Sequence, residues 1–475
     1  MTLRMSIVGA VPPHWQSLAR VDRFYRQALA SQFRLVPNSE AADLRFYFRL
    51  NCSGLGELGH GSPTIVALHG ACVLEPGRVR LILSRLRECD GVIVTCSADE
   101  AIVRLMCADL HPAILRPTFT SEVRRVPRSG DHLRKLRGIP AATQIVTFVA
   151  RLVPHKNVHV FVELIASLAR RVGNVVGIIV GDYWGDYPLG MTGTRYREHL
   201  IDCVRKLGVG PTLIRFTGDL SDAELSILFG GSDLTVSPSL MPDENFGFVP
   251  VESICAGTPV VTTDYGGMRD NIEQGRTGYR VQTWVSEAGI RMDQPRLFAA
   301  AERVLRGRQL HGKLSRYCRL AARRFTEPEN ATRFAMSMFQ CFNRFAEGQV
   351  RRLATRELPT SAAATRCRLG EGGDEWPVSR EAARFYASSP DVPDIGMFAR
   401  LTAYGSHRIV RGVLNVSDPL TSFAVSLSAV ERRVIARIAG RGVGPAALSP
   451  DERNAAQSLL DVGAIVGTTE RSFYA

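Results

Sequence analysis

The chain has 475 residues, of which 45% are hydrophobic and 22% charged. This length is enough for two or three domains, and the composition is ordinary for a globular protein. No run of eighteen apolar residues occurs, so the sequence predicts no membrane-spanning helix. The formal net charge of +13 comes almost entirely from arginine, and we interpret that total as a codon bias rather than as a sign of an anionic partner.

The ten cysteines are scattered along the chain and form no C-x-x-C pair. Most of them lie in apolar stretches, which indicates reduced core residues and no zinc site. The apolar start of the chain is interrupted by Pro12 and Pro13, so it predicts a first strand and a loop instead of a signal peptide. Together these features predict a cytoplasmic protein.

The first part of the chain alternates short apolar strands with helical segments. Such alternation is typical of a parallel sheet covered on both faces, and it predicts a Rossmann-like, doubly wound α/β domain over residues 1–142. A polar, basic stretch at 120–142 marks the predicted boundary. The predicted strands are 5–10, 43–48, 64–70, 91–96 and 113–117, and the predicted helices are 14–30 and 76–89.

The same alternation then starts again, which predicts a second Rossmann-like domain over residues 143–330. Ligands of open parallel sheets bind beyond the carboxyl ends of the strands, and two such domains in series can face each other across a cleft. The predicted strands are 143–152, 174–182, 213–220, 233–239 and 259–264, and the predicted helices are 157–172 and 196–208.

The rest of the chain does not continue the alternation of strands and helices. A long helix at 330–357 and a small, polar linker make up a predicted connecting segment over 331–380. Two capped amphipathic helices, 427–442 and 449–466, predict a helical, winged-helix-like accessory domain over 381–475. The basic residues of this tail alternate with acidic ones, so nucleic acid binding is not favoured, and a peptide partner stays an open alternative.

The most informative stretch is PDENFGFVPVESICAGTPVVTTDYGG at 242–267. It reads as a loop and a helix that follow a strand, an arrangement that presents backbone amides and the positive helix end to an anion such as a diphosphate. Glu244 in the loop and Glu252 in the helix would be costly to bury alone. A carboxylate accepts hydrogen bonds only, so each suits a pair of sugar hydroxyls.

Four segments resemble one enzyme family. The motif E-N-F-G-F-V-P-V-E at 244–252, followed by A-G-T-P-V-V and D-Y-G-G, is similar to the paired-glutamate motif of retaining glycosyltransferases of family four, which have the GT-B fold. The segment A-R-L-V-P-H-K at 150–156 resembles that family's G-R-L-x-x-x-K-G motif. Further matches at 180–182, 215–225 and 277–281 follow in the family's order. The resemblance is strong over 143–282, weaker before it and absent from the tail.

The resemblance implies a role for each matched residue. Arg151 and Lys156 would neutralise charge on the departing diphosphate. Glu244 would hold hydroxyls of the donor sugar, and Glu252 the nucleotide ribose. The resemblance also implies front-face substitution with retention, in which the leaving phosphate takes the acceptor proton. The residues whose backbone would line the sugar and the distal phosphate are Asn245, Phe246, Gly247 and Phe248.

Further candidate residues follow predicted strands. Gly9 is the one glycine where the family usually has several, and His69 stands where the family's sugar-contacting His falls. Asp182 and Gly218 complete the predicted nucleotide-sugar site, although Asp182 can also serve only to orient its loop. No convincing Asp-x-Asp pair occurs, so we expect no metal and no cofactor besides the donor substrate.

The predicted function is therefore that of a glycosyltransferase with a nucleotide-sugar donor and an unidentified acceptor, which could be a glycan, a lipid, a small molecule or a peptide. Two alternatives stay open: a nucleotide-sugar epimerase on the same scaffold, and a winged-helix regulatory protein with a degenerate GT-B domain. The basic face of helix 76–89 also leaves open a peripheral contact with the inner face of a membrane.

Overall fold

The computed structural model describes residues 2–9, 16–48, 52–107, 112–184, 192–359, 368–369, 380–389 and 391–468. The chain forms two compact units, and each contains segments that are distant in sequence. The first unit holds Met1–Glu122, Asn245–Phe248 and Ala322–Thr360. The second unit holds Val123–Glu244, Val249–Ala321 and Ser361–Ala475.

The first unit contains six parallel strands in the order β2-β1-β3-β4-β5-β6. The order confirms the doubly wound sheet predicted for this part. The strands are β1 (Arg4–Val8), β2 (Arg34–Val36), β3 (Leu44–Tyr47), β4 (Thr64–Ala67), β5 (Gly91–Ile93) and β6 (Ala113–Leu115). The helices are α1 (Gln16–Ala30), α2 (Ala71–Leu74), α3 (Pro76–Arg85) and α4 (Ser97–Met106).

The second unit contains six further parallel strands, in the order β12-β11-β10-β7-β8-β9. The strands are β7 (Gln144–Val149), β8 (Val175–Val180), β9 (Ile214–Phe216), β10 (Leu234–Ser237), β11 (Val260–Thr263) and β12 (Gly278–Val281). All six residues of β8 are buried. Continuous apolar runs of this kind are typical of a parallel sheet buried on both faces.

The helices of the second unit follow the strands in sequence, and one antiparallel hairpin interrupts them. The helices are α5 (Ser129–Arg137), α6 (Val158–Arg171), α7 (Gly193–Lys206), α8 (Asp222–Gly231), α9 (Phe248–Ala256), α10 (Gly267–Asn271), α11 (Gln294–Arg306) and α12 (Arg308–Ala321). The next helix, α13 (Arg323–Thr326), belongs to the first unit. The hairpin pairs β13 (Thr283–Ser286) with β14 (Gly289–Met292).

The stretch 123–142 belongs to the second unit, whereas the sequence placed the first domain as far as residue 142. Its helix α5 packs tightly on α8, because a Cβ added to Gly231 would lie 2.9 Å from the Leu133 side chain. A basic stretch that looked like a linker is therefore anchored by its buried Leu133.

After α13 the chain forms two short helices, α14 (Glu329–Ser337) and α15 (Phe339–Ala346). The prediction of one helix over 330–357 is wrong. Gly348 has φ 78°, a left-handed conformation that commonly ends a helix. In the first unit, the Phe334 ring of α14 lies 5.3 Å from the Tyr25 ring of α1.

The described part of the tail contains more strand than predicted. Its elements are β15 (Arg368–Leu369), α16 (Arg380–Tyr386), β16 (Arg400–Ala403), β17 (Ser406–Val410), β18 (Val413–Ser417), β19 (Ser422–Ser426), α17 (Ala429–Arg441), α18 (Pro450–Val462) and β20 (Ile465–Thr468). Helices α17 and α18 confirm the two predicted helices, and Ser428 and Ser449 form capping boxes at their starts. A four-stranded antiparallel sheet, β15-β19-β18-β17, accompanies these helices. The description of the tail as helical is therefore corrected to α+β.

The described residues contain neither a membrane-spanning helix nor a disulfide. No helix within the described ranges has the length and apolar character needed to cross a bilayer. The eight cysteines whose side chains are described form no disulfide, and most of them are buried.

Candidate functional site

Lys156 and Glu244 form an ion pair in the second unit. The Glu244 Oε2 atom accepts a hydrogen bond from Lys156 Nζ and a second one, of 2.6 Å, from Ser239 Oγ. The Lys156 and Glu244 side chains are only 17% and 14% exposed. The structure thus brings together two of the residues that the sequence predicted. The partly buried Glu244 carboxylate has Lys156 and Ser239 as its partners.

The backbone positions this pair through contacts between two neighbouring strand ends. Lys156 follows β7, Ser239 follows β10, and the two strands are adjacent and parallel. Asn157 has the left-handed φ of 56°, and its side-chain amide donates to the Pro238 carbonyl over 2.8 Å. The Leu240 amide donates to the His155 carbonyl at the same distance. These bonds hold both loops at the carboxyl edge of the sheet, where ligands of this fold class bind.

The electrostatic environment of the loop shifts the pKa values of two adjacent carboxyl groups, Asp243 and Glu244, in opposite directions. Burial alone would raise the pKa of Glu244, but the Lys156 ammonium and the hydrogen bonds from Lys156 and Ser239 outweigh it and lower the pKa below its usual value. Burial raises the pKa of Asp243, and the Lys156 ammonium opposes that rise only in part. Glu244 is therefore the carboxylate of this loop that stays ionised most readily.

Arg151 lies after β7, and its guanidinium stacks over the Trp184 ring at 4.7 Å from the ring centroid. A contact of this kind attracts a cation by the charge distribution of the ring. Gly181 allows the approach of the two strand ends: it has φ 125°, and a Cβ there would lie 1.8 Å from the Ala150 carbonyl oxygen. Trp184 was not predicted from the sequence.

Asp182 and Gly218 lie at the ends of β8 and β9. The Asp182 side chain is exposed, and a Cβ on Gly218 would lie 3.7 Å from its Oδ1 atom. The pKa of the nearby Asp219 is raised, first by burial and then by the Asp182 carboxylate. The two predicted residues are therefore neighbours at the predicted strand ends. Across the described ranges, no group of three or more His, Cys, Asp or Glu has a geometry that could hold a metal ion.

Glu252 lies inside α9 and is 4% exposed. The helix begins at Phe248 and carries Pro250 at its third position, where a missing amide is tolerated. Its start directly follows the Glu244 loop, as the sequence predicted. The burial of Glu252 excludes the alternative that it is only a solvated residue on a helix surface.

Residues Asn245–Phe248 group with the first unit, and two of their side chains have a packing role. The ring centroids of Phe246 and Phe248 lie 4.9 Å and 5.5 Å from that of Phe119. Gly247 between them has φ 78°, a conformation that favours glycine. The aromatic cluster fixes the conformation of this short segment, and its backbone remains the part that we expect to meet a ligand.

His69 follows β4 in the first unit and has the strained φ of 32°. Its ring lies 5.1 Å from Phe48 and 5.8 Å from Tyr25. Burial lowers the pKa of His69 to about 4, and its Nε2 atom has no hydrogen-bond partner among the described residues. Gly9, which follows β1, is exposed and has φ 106°, and the turn after it lies outside the described residues.

Sequence reasoning missed four contributors to the second-unit site. Ser239 and Asp243 stand within five residues of Glu244, but a serine after a strand and a second acid in a loop carry no signal of their own. Trp184 lies in a loop where aromatic residues have no fixed spacing. The short segment around Gly266 is the fourth contact, because the Gly267 amide donates to the Glu244 carbonyl over 2.8 Å.

Comparisons with known proteins match the part of the chain that contains this site. Residues 131–288 match the family model of the glycosyl transferases group 1. The D-inositol 3-phosphate glycosyltransferase of Corynebacterium urealyticum is 29% identical over 181 residues, which cover 37% of this chain and 41% of that protein. The enzyme of the same name from Corynebacterium glutamicum is 33% identical over 154 residues, which cover 32% of this chain and 35% of that protein. The chain thus spans less than half the length of these two curated relatives.

Among solved structures, Anabaena HepE in complex with UDP-glucose covers 72% of this chain and 99% of its own, with a TM-score of 0.51 and 17% identity. This likeness concerns the fold alone, and it agrees with the two six-stranded parallel sheets. Arg151, Lys156, Glu244 and Glu252 all lie inside the matched family region. The part of the chain that matches the glycosyl transferases group 1 family, residues 131–288, is thus the part that holds the Lys156–Glu244 pair.

Proposed function

We propose that the chain is a retaining glycosyltransferase of family four that moves a sugar from a nucleotide diphosphate sugar to an acceptor hydroxyl. The observation that carries the proposal is the Lys156–Glu244 pair at the carboxyl edge of the second sheet. Arg151 contributes to the same electrostatic environment, since its charge helps to lower the pKa of Glu244. A cationic pair beside an ionised carboxylate suits a ligand that carries both phosphates and hydroxyls.

Donor binding exchanges the partners of this site. The donor diphosphate takes Arg151, Lys156 and the backbone amides at the start of α9. Sugar hydroxyls then donate to Glu244, and the ribose hydroxyls donate to Glu252. In this proposal the Lys156–Glu244 bond keeps both charged groups paired until a ligand replaces it.

Transfer places new negative charge on the leaving diphosphate as the bond between the anomeric carbon and the phosphate oxygen breaks. Arg151 and Lys156 stabilise that charge, and one such group typically contributes about 10²–10³ in rate. The acceptor oxygen attacks from the face that the phosphate leaves, which retains the configuration. The acceptor proton passes to the leaving phosphate oxygen, so no enzymic base and no metal ion are needed.

Gly9 and His69 lie in the first unit, and the family resemblance implies that they are further contacts of the donor. Because the pKa of His69 is lowered to about 4, its imidazole is neutral at physiological pH. A neutral ring with a vacant Nε2 suits a hydrogen bond with a sugar hydroxyl and does not suit phosphate neutralisation. Gly9 has no side chain, which would allow a close approach of the donor phosphate.

The acceptor is the least constrained part of the proposal. The curated relatives carry the name D-inositol 3-phosphate glycosyltransferase, so a cyclic polyol phosphate is the first acceptor to test. A glycan, a lipid, another small molecule or a peptide are the further candidates. We propose a cytoplasmic site of action, with a peripheral membrane surface and a peptide for the tail as additional partners, and no nucleic acid.

Two measurements test the proposal. A thermal-shift screen against UDP-, GDP-, ADP- and dTDP-sugars should raise the melting temperature with one base, because a ligand that binds the folded state stabilises it. With that donor, free nucleotide should appear when D-inositol 3-phosphate is added, and chelation of divalent ions by EDTA should not stop the reaction. Conversion of the donor sugar to an epimer without release of nucleotide would instead support an epimerase.

A further inference from the structure

The C-terminal domain contacts the segment that holds the Glu244 loop. Two consecutive backbone amides point to different partners: Gly266 N–H donates to the Tyr386 carbonyl over 2.9 Å, and Gly267 N–H donates to the Glu244 carbonyl over 2.8 Å. Tyr386 is the last residue of α16, which belongs to the tail. A single turn of the donor-side domain therefore joins the tail to the candidate carboxylate.

The turn is packed too closely for any residue except glycine at position 266. Gly266 has φ 53°, and a Cβ there would lie 2.0 Å from the Glu244 carbonyl oxygen and 2.9 Å from the Tyr386 ring. The preceding Tyr265 is fully buried, and its ring centroid lies 5.4 Å from that of Tyr386. Its hydroxyl donates to the Pro242 carbonyl over 3.0 Å. Both ends of the loop 242–244 are thus bonded to the turn that α16 covers.

Arg269 and Thr283 bind the tail through hydrogen bonds to residues 385–388. The Arg269 guanidinium donates to the carbonyls of Phe385 and Ala387 over 3.1 Å and 2.9 Å, which suits the negative end of a helix. Ser388 accepts from the Thr283 amide over 2.8 Å and donates from its own amide to the Thr283 hydroxyl over 3.1 Å. These hydrogen bonds are directional, so they fix the orientation of the segment 380–389 against Arg269 and Thr283.

We propose that Arg380–Ser389 is a positioning element for the donor site, and this inference rests on the proposed function. The segment touches no reacting group. It holds the turn 265–267, which in turn holds the Glu244 backbone so that its carboxylate meets Lys156 and, in the complex, the donor sugar. The tail is thereby assigned a part in the activity of the domain to which it is appended.

Arg269→Gln tests the inference, with Arg276→Gln as the matched control. Arg276 lies in the turn before β12, has a 60% exposed side chain and forms an ion pair with Glu273. We expect Arg269→Gln to lower the rate at saturating donor about tenfold, because small misplacements of a catalytic group have large effects on rate. The affinity for UDP should stay within about twofold, since Arg151, Lys156 and Glu252 hold the nucleotide. Arg269→Lys, which keeps a positive charge and N–H donors on a single nitrogen, should recover part of the rate.

Ser388→Ala provides a second test that does not require Arg269 to be dispensable for folding. Hydrogen–deuterium exchange should then become faster at the amides of Gly266 and Gly267, and the rate at saturating donor should fall. An unchanged rate in both folded variants, or a matching loss of UDP affinity, would contradict the positioning role. Failure of the proposed function is distinguishable, because the unsubstituted chain would then consume no nucleotide sugar at all.

Discussion

Lys156 and Glu244 form a partly buried ion pair at the carboxyl edge of the second-unit sheet, where each is the charged partner of the other. The pair is mostly buried, and removing one member of a buried pair usually costs more than the pair itself contributes. This asymmetry makes both residues sensitive positions for substitution.

Lys156→Met should lower the transfer rate about 10²–10³-fold, because it removes one of the two cations that meet the leaving diphosphate. The pKa of Glu244 should also rise, since the Lys156 ammonium is the main group that lowers it. Steady-state kinetics with the donor found in the screen measures the first effect.

Lys206→Met is the matched control, because Lys206 is exposed on α7. It should leave the transfer rate unchanged. Equal rates for the Lys156→Met variant and the unsubstituted chain would contradict the assigned role of Lys156.

The two glutamates should separate nucleotide binding from sugar recognition. Glu252→Ala should weaken the binding of UDP itself, because the carboxylate that holds the ribose is lost. Glu244→Ala should leave UDP binding nearly intact and reduce the discrimination between donor sugars. Titration calorimetry with UDP and competition between UDP-sugars measure the two effects, and the site assignment is wrong if both variants behave like the unsubstituted chain.

Gly181→Ala should lower both the melting temperature and the affinity for UDP. The added Cβ would lie 1.8 Å from the Ala150 carbonyl oxygen, so the backbone before Arg151 has to move. Gly173→Ala is the control, because Gly173 also has a positive φ, of 96°, but a Cβ there meets no atom within 4 Å. Equal losses in the two variants would show that backbone strain alone, and not the close approach, matters at position 181.

The melting temperature should fall as the pH drops from 7 to 5. Burial lowers the pKa of His69 and His155 to about 4, whereas the unfolded value is about 6.5. Between these values the unfolded state binds more protons, so the stability present above pH 6.5 is lost as the pH falls towards 4.

His69→Gln should reduce this pH dependence, and His132→Gln should not, because His132 is exposed. Thermal unfolding at pH 7 and pH 5 compares the variants. A melting temperature of the unsubstituted chain that rises on acidification over this range would contradict the buried, neutral state of these histidines.

The parallel sheets could be predicted because their strands are apolar runs separated by helical patterns. Strand β2 escaped prediction since two of its three residues are exposed. Strand β17 was not predicted either, because all five of its residues are exposed, and buried and exposed residues therefore do not alternate along it. The break after α15 depends on Gly348, whose conformation the surrounding helical pattern concealed.

The site was predictable where function imposes a local motif. Lys156 and Glu244 were identified as candidates because their segments resemble motifs of a glycosyltransferase family. The contacts of Gly266 with Tyr386, and of Arg269 with Ala387, join residues that are far apart in sequence. A single sequence carries no periodic signal for such contacts, so the connection between the tail and the donor site emerged only from the structure.

The most direct test of the account is a crystal structure of the chain with the nucleotide sugar selected by the thermal-shift screen. We predict that the diphosphate lies within about 3 Å of the side chains of Arg151 and Lys156. The Glu244 carboxylate should accept hydrogen bonds from hydroxyls of the sugar in place of the bond from the Lys156 ammonium. A diphosphate bound away from Arg151, Lys156 and the segment 244–252 would contradict the account.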